Sequence, residues 1–274
     1  MIQSVPAART LVLFPDWTDV MLTINTLTDL LAIAVALGAK TVVGWSDAEE
    51  ELTAQLPCTL DETVATIAAR IVAGEDPLGE LYCQILSPAQ RRPSGATYTP
   101  AQFVHVMTQW AVSQVRPKRV VDPGCGSGRF LVAAGKCFEE ATLIGIETDP
   151  VAAMLARANL AVNGFVNRAK VTLVDYREVT LEEIDGATLF IGNPPYVRHH
   201  DIAPEHKAWL TDTAQMLGIR ASQLAGLHAH FFLATALLVR PGDLGVFITS
   251  SEWLDVNYGE LLRRLLTGPL KVLT

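Results

Sequence analysis

Cysteine is scarce in these 274 residues: Cys58, Cys83, Cys125 and Cys137 lie far apart, and no two form a Cys-x-x-Cys pair. That spacing suggests neither a disulfide framework nor a structural zinc site, so no metal is expected and a reducing, cytoplasmic setting fits best. Uninterrupted apolar runs are missing too. The most membrane-like stretch, Val20 to Leu37, carries Asn25, Thr26, Thr28 and Asp29 near its middle, and polar groups at that depth are expensive in lipid. It reads as a buried helix, and no membrane association is expected. The N-terminus holds Arg9 but no apolar segment followed by a small-residue cleavage site, so no secretory signal is expected. Positive charge is in deficit, with 21 Lys and Arg against 29 Asp and Glu and a formal net charge of −8. Such a surface disfavours nonspecific nucleic-acid binding by the whole chain, and any contact has to be local. Local candidates are Arg91-Arg92, then Arg116 with Lys118 and Arg119, and Arg198-His199-His200 followed by His206-Lys207. Short charge runs of this kind also occur as plain solvated faces.

What is present is core-forming material. Half the residues are hydrophobic and 18% are charged, enough to bury one large domain or a catalytic domain with an appendage. Residues 1–94 show no repeat or low-complexity tract and read as mainly helical. Val64, Ile67, Ala68, Ile71 and Val72 form an apolar stripe at helical spacing, with Gly74 as a stop and Pro77 beyond it. Leu78, Leu81, Tyr82, Ile85 and Leu86 form a second stripe, and Leu11 to Phe14 reads as a short strand. Pro88, Pro93 and Gly95 break the pattern between Ser87 and Thr99, which marks a connection. Thr99 and Pro100 then signal a helix start, a capping hydroxyl ahead of proline at the first position, before Phe103, Met107, Trp110 and Ala111.

From Val120 the chain alternates strand and helix. Apolar runs end at Asp122, Glu147, Asp175 and Gly192, helices follow Ser127 and Pro150, and a longer helix with Leu224, Leu227, Phe231 and Leu238 on one face precedes a strand at Leu244 to Thr249. This alternation predicts an α/β, doubly wound domain with a parallel sheet covered on both faces. Ligands in such sheets bind outside the carboxyl ends of the strands. Four polar residues, Asp122, Glu147, Asp175 and Asn193, stand where the first four runs stop, so a pocket is expected there.

Asp122-Pro123-Gly124-Cys125-Gly126-Ser127-Gly128 follows the first strand and opens a helix. Its glycines permit a tight turn and close approach to a ligand, a property equally open to a dinucleotide. Glu147, followed by Thr148, lies 21 residues after Gly126, where an acid accepts from both ribose hydroxyls of an adenosine group. Asp175 stands where it accepts from an adenine amino group, with Tyr176 beside it to pack on the ring. The loop has no lysine for a phosphate, which disfavours a P-loop. The run Leu189 to Gly192 stops in Asn193-Pro194-Pro195-Tyr196. The prolines hold the chain extended, so the Asn193 side-chain carbonyl and the Pro194 backbone carbonyl present two acceptors to a planar amine, with the Tyr196 ring for stacking. These residue types also make ordinary turns.

Asn193 to Tyr196 resembles the catalytic motif of methyltransferases that act on amines with S-adenosylmethionine, above all the N6-adenine DNA methyltransferases. The resemblance runs from about residue 95 to the end: Asp122 to Phe130, Gly145-Ile146-Glu147 and Asp175-Tyr176 are similar to the successive cofactor motifs, and His228 to Ser251 to the helix and strand that follow. It implies a Rossmann-like catalytic domain at 95–274 behind a helical region at 1–94. It implies S-adenosylmethionine contacts from Tyr98, Thr99, Pro100, Asp122, Gly124, Gly126, Glu147, Thr148, Asp175, Tyr176 and Asn193, and catalysis by Asn193, Pro194, Pro195 and Tyr196. The expected reaction is direct methyl transfer to an adenine flipped out of DNA, with Arg198, His199, His200 and Lys207 as nucleic-acid contacts, within a restriction-modification or phage-defence system. Asp122 stands where some members have glutamate, and Asp243 where glycine is commoner. Protein-glutamine and RNA amino-methyltransferases share the motif and are rivals; a nicotinamide-dependent oxidoreductase leaves Asn193 to Tyr196 unexplained, and a binding subunit with a vestigial pocket is a third rival. Leu270 to Leu273 reads as a strand beginning, so the catalytic domain is expected to be incomplete and to need a specificity subunit or a downstream target-recognition domain.

Overall fold

Five short apolar segments pair side by side, all parallel, in the order β3-β2-β1-β4-β5. They are β1 (Arg119–Pro123), β2 (Thr142–Glu147), β3 (Ala169–Leu173), β4 (Thr188–Gly192) and β5 (Leu244–Phe247). The computed structural model describes residues 24–91, 99–254 and 256–273. Every residue of β1 and β4 is buried, as expected for central strands covered on both faces. Successive side chains point to opposite faces, and the core divides accordingly. Val120, Leu143, Leu189 and Ile191 pack with α6 (Ala101–Gln114), α7 (Arg129–Cys137) and α8 (Pro150–Val162), whereas Val121, Ile146 and Phe190 pack with Phe231 and Ala234 of α10 (Leu227–Leu238). This is the doubly wound arrangement that the alternation predicts. Among the described residues, no helix is long and apolar enough to cross a membrane.

Ahead of the sheet lie α1 (Leu27–Ala36), α2 (Asp47–Thr53), α3 (Asp61–Val72), α4 (Pro77–Ile85) and the single turn α5 (Pro88–Arg91). The polar residues expected inside the first helix are its start: Thr26 and Asp29 form a reciprocal capping box. Leu30, Ile33, Ile67, Ile71, Leu78 and Leu81 then share one core with Leu155 and Ala158 of α8. The first described helices are therefore fastened to the sheet layer.

Several expectations shift. Val72 is exposed, and Thr63 and Thr66 fill the buried face of α3 instead. In α6 Pro100 is itself the N-cap and Thr99 gives no cap bond. Of the expected face, Ala111 is buried and Met107 packs partly buried against the core, joined by Val104 and Thr108, whereas Phe103 and Trp110 are exposed. The segment after Tyr196 forms two helices, α9 (Pro204–Met216) and α10, and Leu224 lies outside both and is exposed. β3 stops at Leu173, two residues short of Asp175. Residues 270–273 are not strand, and α11 (Glu260–Thr267) precedes them. Leu11 to Phe14, Arg92 and Gly95 to Tyr98 lie outside the described residues.

One buried ion pair carries much of the attachment. Arg157 on α8 donates to Glu49 Oε1 (2.7 Å) and to the carbonyls of Val42 (3.0 Å), Val43 (2.7 Å), Gly44 (2.5 Å) and Val171 (2.7 Å), and both charged side chains are 0% exposed. Arg157→Met removes the counter-charge of buried Glu49 and the guanidinium donors of four carbonyls, of which Val43 keeps the Val171 N–H. It should cost about 3–5 kcal/mol in urea unfolding. Adding Glu49→Gln should recover only part of that, because the carbonyls still lack their guanidinium donors. A single-variant loss below about 1 kcal/mol would contradict the buried pair.

Candidate functional site

The polar ends of the strands meet on one edge. After β1 the chain reverses through glycines at left-handed φ, +54° at Gly126 and +83° at Gly128, a region costly for other residues. At Gly128 there is a second reason: an added Cβ would lie 3.2 Å from Ala156 of α8. The turn is held by Glu147 at the end of β2, whose Oε2 accepts from Gly126 N (2.9 Å) while Oε1 accepts from Thr148 N (2.8 Å) and Asp149 N (3.1 Å). Burial pushes the Glu147 pKa up against the pull of these N–H groups.

Past β3, Asp175 Oδ1 accepts from the backbone N and Nε of Arg177, both at 2.9 Å, and Oδ2 from the guanidinium tip. Burial would raise this carboxyl, but the hydrogen bonds and charge of Arg177 outweigh it and hold it low. The Tyr176 ring stands 5.3 Å from Phe231, and its hydroxyl meets Thr235 Oγ1 at 3.0 Å; burial pushes this phenol up. At the end of β4, Asn193 Nδ2 donates to Thr99 Oγ1 (3.1 Å), and Oδ1 is buried with no hydrogen-bond partner among the described residues. Tyr196 donates to the Ile248 carbonyl at 3.4 Å.

Between these groups is a cavity of about 460 Å³ lined by Thr99, Gly124, Gly126, Glu147, Thr148, Asp175, Tyr176, Asn193 and Pro195. A second hollow of about 360 Å³ is lined by Tyr196, Val197, Arg198, His200 and Asp201. Val197 and Asp201 line both, so the two spaces share a wall. The cations on the larger cavity are engaged: Arg177 by Asp175 and Arg129 by Asp76. No lysine lines it among the described residues, and these hold no group of His, Cys, Asp or Glu suited to a metal ion.

Some expected residues stand elsewhere. Asp122 is 1% exposed and does not line the cavity. It lies beneath the loop against Gly192, where an added Cβ would be 2.6 Å from Oδ1, and neither oxygen has a partner among the described residues. Burial, then the Glu147 charge, pushes its pKa well up. Pro100 is exposed on α6, and Pro194 is buried outside both spaces. Arg198 and His200 are exposed at the second hollow, which His199 and Lys207 do not line. Arg119 is buried against Thr188 and the Glu182 carbonyl and is structural, whereas Lys118 forms an exposed pair with Glu140 and Arg116 donates to the Val115 carbonyl at 3.1 Å.

The cavity also gains residues that the sequence did not single out. Gly79, Tyr82 and Cys83 of α4 form one wall, with the Tyr82 hydroxyl donating to Asp149 Oδ2 at 2.6 Å. Tyr82 had appeared only as part of an apolar stripe. Phe231, expected only on a helix face, and His206, expected only in a basic run, complete the other side. Behind Arg177, His230 is buried, stacks on Trp209 at 5.9 Å and is held down to about 3 by burial and the Arg177 charge.

The sequence profile of the family described as N-6 DNA Methylase matches residues 73–244. Over 244 residues the chain is 48% identical to Type II methyltransferase M.XamI of Xanthomonas campestris pv. amaranthicola, covering 88% of this chain and 46% of that protein. Over 202 residues it is 26% identical to Type II methyltransferase M.BanIII of Aneurinibacillus aneurinilyticus, covering 65% and 34%. The type I restriction-modification system methyltransferase subunit from Streptococcus thermophilus shares the fold, with a TM-score of 0.51 at 18% identity over 75% of this chain and 47% of that one. The chain spans about half or less of the length of these curated relatives.

Asp122 yields a pH test. With its folded pKa raised, the native state keeps a proton that the unfolded chain loses near pH 3.9, so this contribution to stability falls as pH rises above about that value. Asp122→Asn stays neutral and lacks that dependence. In urea unfolding, the stability difference should move in favour of the variant between about pH 5 and about pH 8. A constant difference would mean that the carboxylate is ionised in the fold.

Proposed function

The chain belongs to the N-6 DNA methylase family, and from that premise we propose that it transfers a methyl group from S-adenosylmethionine to the N6 amino group of adenine in DNA, as the modification activity of a restriction-modification system. The observation that carries this reading is Asn193, seated at the strand edge on the wall of the larger cavity, with its Oδ1 buried and unpartnered among the described residues.

The larger cavity suits the cofactor. Its volume of about 460 Å³ falls within the usual range for small-molecule sites, about 300–1,000 Å³. Three N–H groups occupy Glu147, which leaves acceptor capacity for ribose hydroxyls. The acidic edge suits a cationic ligand, and its engaged arginines offer little to a dinucleotide phosphate. When bound, S-adenosylmethionine supplies an electrophilic methyl group on sulfonium. In this reading Glu147 and Thr148 hold the ribose, Asp175 accepts from the adenine amino group, Tyr176 and Phe231 wall the ring, and Thr99, Gly124 and Gly126 border the methionine end. Tyr82 joins them from α4, while Asp122 supports the loop from below.

The lone pair of an adenine amine is delocalised into the ring. An acceptor at Asn193 Oδ1 favours a pyramidal nitrogen and stabilises the positive charge that develops on it; the Pro194 carbonyl expected beside it belongs to a residue that lines neither space. The target base has to leave the duplex. Tyr196 stacks on it beside the second hollow, with Arg198, His199, His200 and Lys207 toward the backbone. Residues 95–274 form the catalytic domain in this account and 1–94 its helical N-terminal region. A net charge of −8 leaves tight, specific DNA binding to a specificity subunit or a target-recognition domain. A cytoplasmic location goes with this role. The family match favours DNA over a protein-glutamine or RNA amine.

Glu147→Ala and Asp175→Ala should each weaken S-adenosylmethionine binding by about 1–3 kcal/mol in calorimetry. Asn193→Ala should keep that affinity and lose methyl transfer, followed by nucleoside mass spectrometry of adenine-containing DNA. Unchanged affinity in both acid variants, or a fully active Asn193→Ala protein, would refute the assignment.

A further inference from the structure

The amide that the proposed reaction depends on is held from a distance. Asn193 Nδ2 donates to the hydroxyl of Thr99, which is 6% exposed. The Thr99 carbonyl accepts from Arg129 Nη1 at 2.6 Å, and Arg129 Nε donates to Asp76 Oδ2 at 2.9 Å. Asp76 is also 6% exposed and comes from the N-terminal helices, where it caps α4 through Gly79 N at 3.0 Å. Its carboxylate accepts further from Asn159 Nδ2 of α8 at 3.0 Å and from the Ser127 hydroxyl in the glycine loop. Asn159 Nδ2 donates as well to the Ser127 carbonyl at 2.8 Å.

We propose that Asp76 is a positioning residue for Asn193, acting through Arg129 and Thr99, so that one carboxylate sets both the glycine loop and the catalytic amide. The proposal rests on the methyl-transfer reading above. Its physical basis is saturation and planarity. Gly79 N, Ser127 Oγ, Arg129 Nε and Asn159 Nδ2 between them engage both oxygens of the carboxylate, which disfavours any other orientation. The rigid guanidinium of Arg129 presents separate N–H groups to Asp76 and to the Thr99 carbonyl, so two anchors fix its plane; a lysine ammonium on a flexible stem does not reproduce that geometry. Thr99 is thereby held at its backbone while its hydroxyl takes the Asn193 amide. An acceptor displaced by a fraction of an ångström loses much of its rate advantage while cofactor binding stays intact.

Thr99→Val keeps the shape and removes the hydroxyl; Thr99→Ser keeps the hydroxyl. Thr99→Val, Arg129→Lys and Asp76→Asn should each lower kcat about tenfold or more, a larger factor than any loss of cofactor affinity that follows from their places beside the cofactor and the glycine loop. Thr99→Ser should recover the rate. Since Asp76 and Thr99 act on one amide, the Asp76→Asn/Thr99→Val double variant should be no slower than the slower single variant. In ¹⁵N-labelled protein the Asn193 side-chain NH₂ signal, assigned by its loss in Asn193→Ala, should move in all three variants and return in Thr99→Ser. Multiplicative rate losses, losses matched by equal losses of cofactor affinity, or an unmoved signal in both Asp76→Asn and Arg129→Lys would overturn the proposal. If the wild-type chain transfers no methyl group to adenine in DNA, the functional reading fails, and the NH₂ signal alone then decides: movement upholds the relay and its absence refutes it. Should Asp76→Asn fail to fold, Arg129→Lys paired with Thr99→Val carries the same test.

Discussion

Parallel strands buried on both faces can expose polar chemistry only where they end, and this constraint shapes the rest of the molecule. β1 and β4 are buried along their whole length, so neither has room for a functional side chain until the chain leaves the sheet. With every strand running the same way, the departures gather on one edge. The glycine loop, Glu147, Asp175 and Asn193 come together there although more than 60 residues separate the first from the last. Helices on both faces then close the sides, and a cavity remains over the edge.

Crowding carboxylates on that edge is costly, and each is accommodated differently. Asp175 is held by the Arg177 fork, whose hydrogen bonds and charge overcome its burial. Glu147 is held by three backbone N–H groups, which do not fully offset burial. Asp122 has no such partner among the described residues and is driven toward its neutral form. Proximity to the loop therefore does not make the three equivalent: two face the cavity and one supports it from below.

The first described helices belong to this arrangement as well. Arg157 satisfies Glu49 and the carbonyls of 42–44, which binds that segment to α8 and β3. Tyr82 reaches Asp149 at the start of α8, and Asp76 reaches Ser127 and Arg129. Each is a polar contact across a long sequence separation inside a mostly apolar interface, so its geometry is specific. They make the wall of the cavity a joint product of both halves of the chain.

The amino-acid sequence by itself determined the doubly wound class, the succession of its five strands between Val120 and Thr249, and the gathering of Glu147, Asp175 and Asn193 at one edge. Those features are local: period, glycine and proline punctuation, and polar stops are written within a few residues of where they act. The tertiary structure decided that Val104 and Thr108 of α6 turn inward while Phe103 and Trp110 stay exposed, because helical period alone does not fix which edge of an apolar stripe meets the sheet. It also decided that Asp122 is covered while Tyr82 is at the cavity, and that α9 forms between Tyr196 and α10. Asp76, Arg129 and Thr99 gave no signal as partners of Asn193. Hydrogen bonds between residues far apart in the chain leave no periodic trace in it; they exist only once packing has brought the groups within about 3 Å of each other.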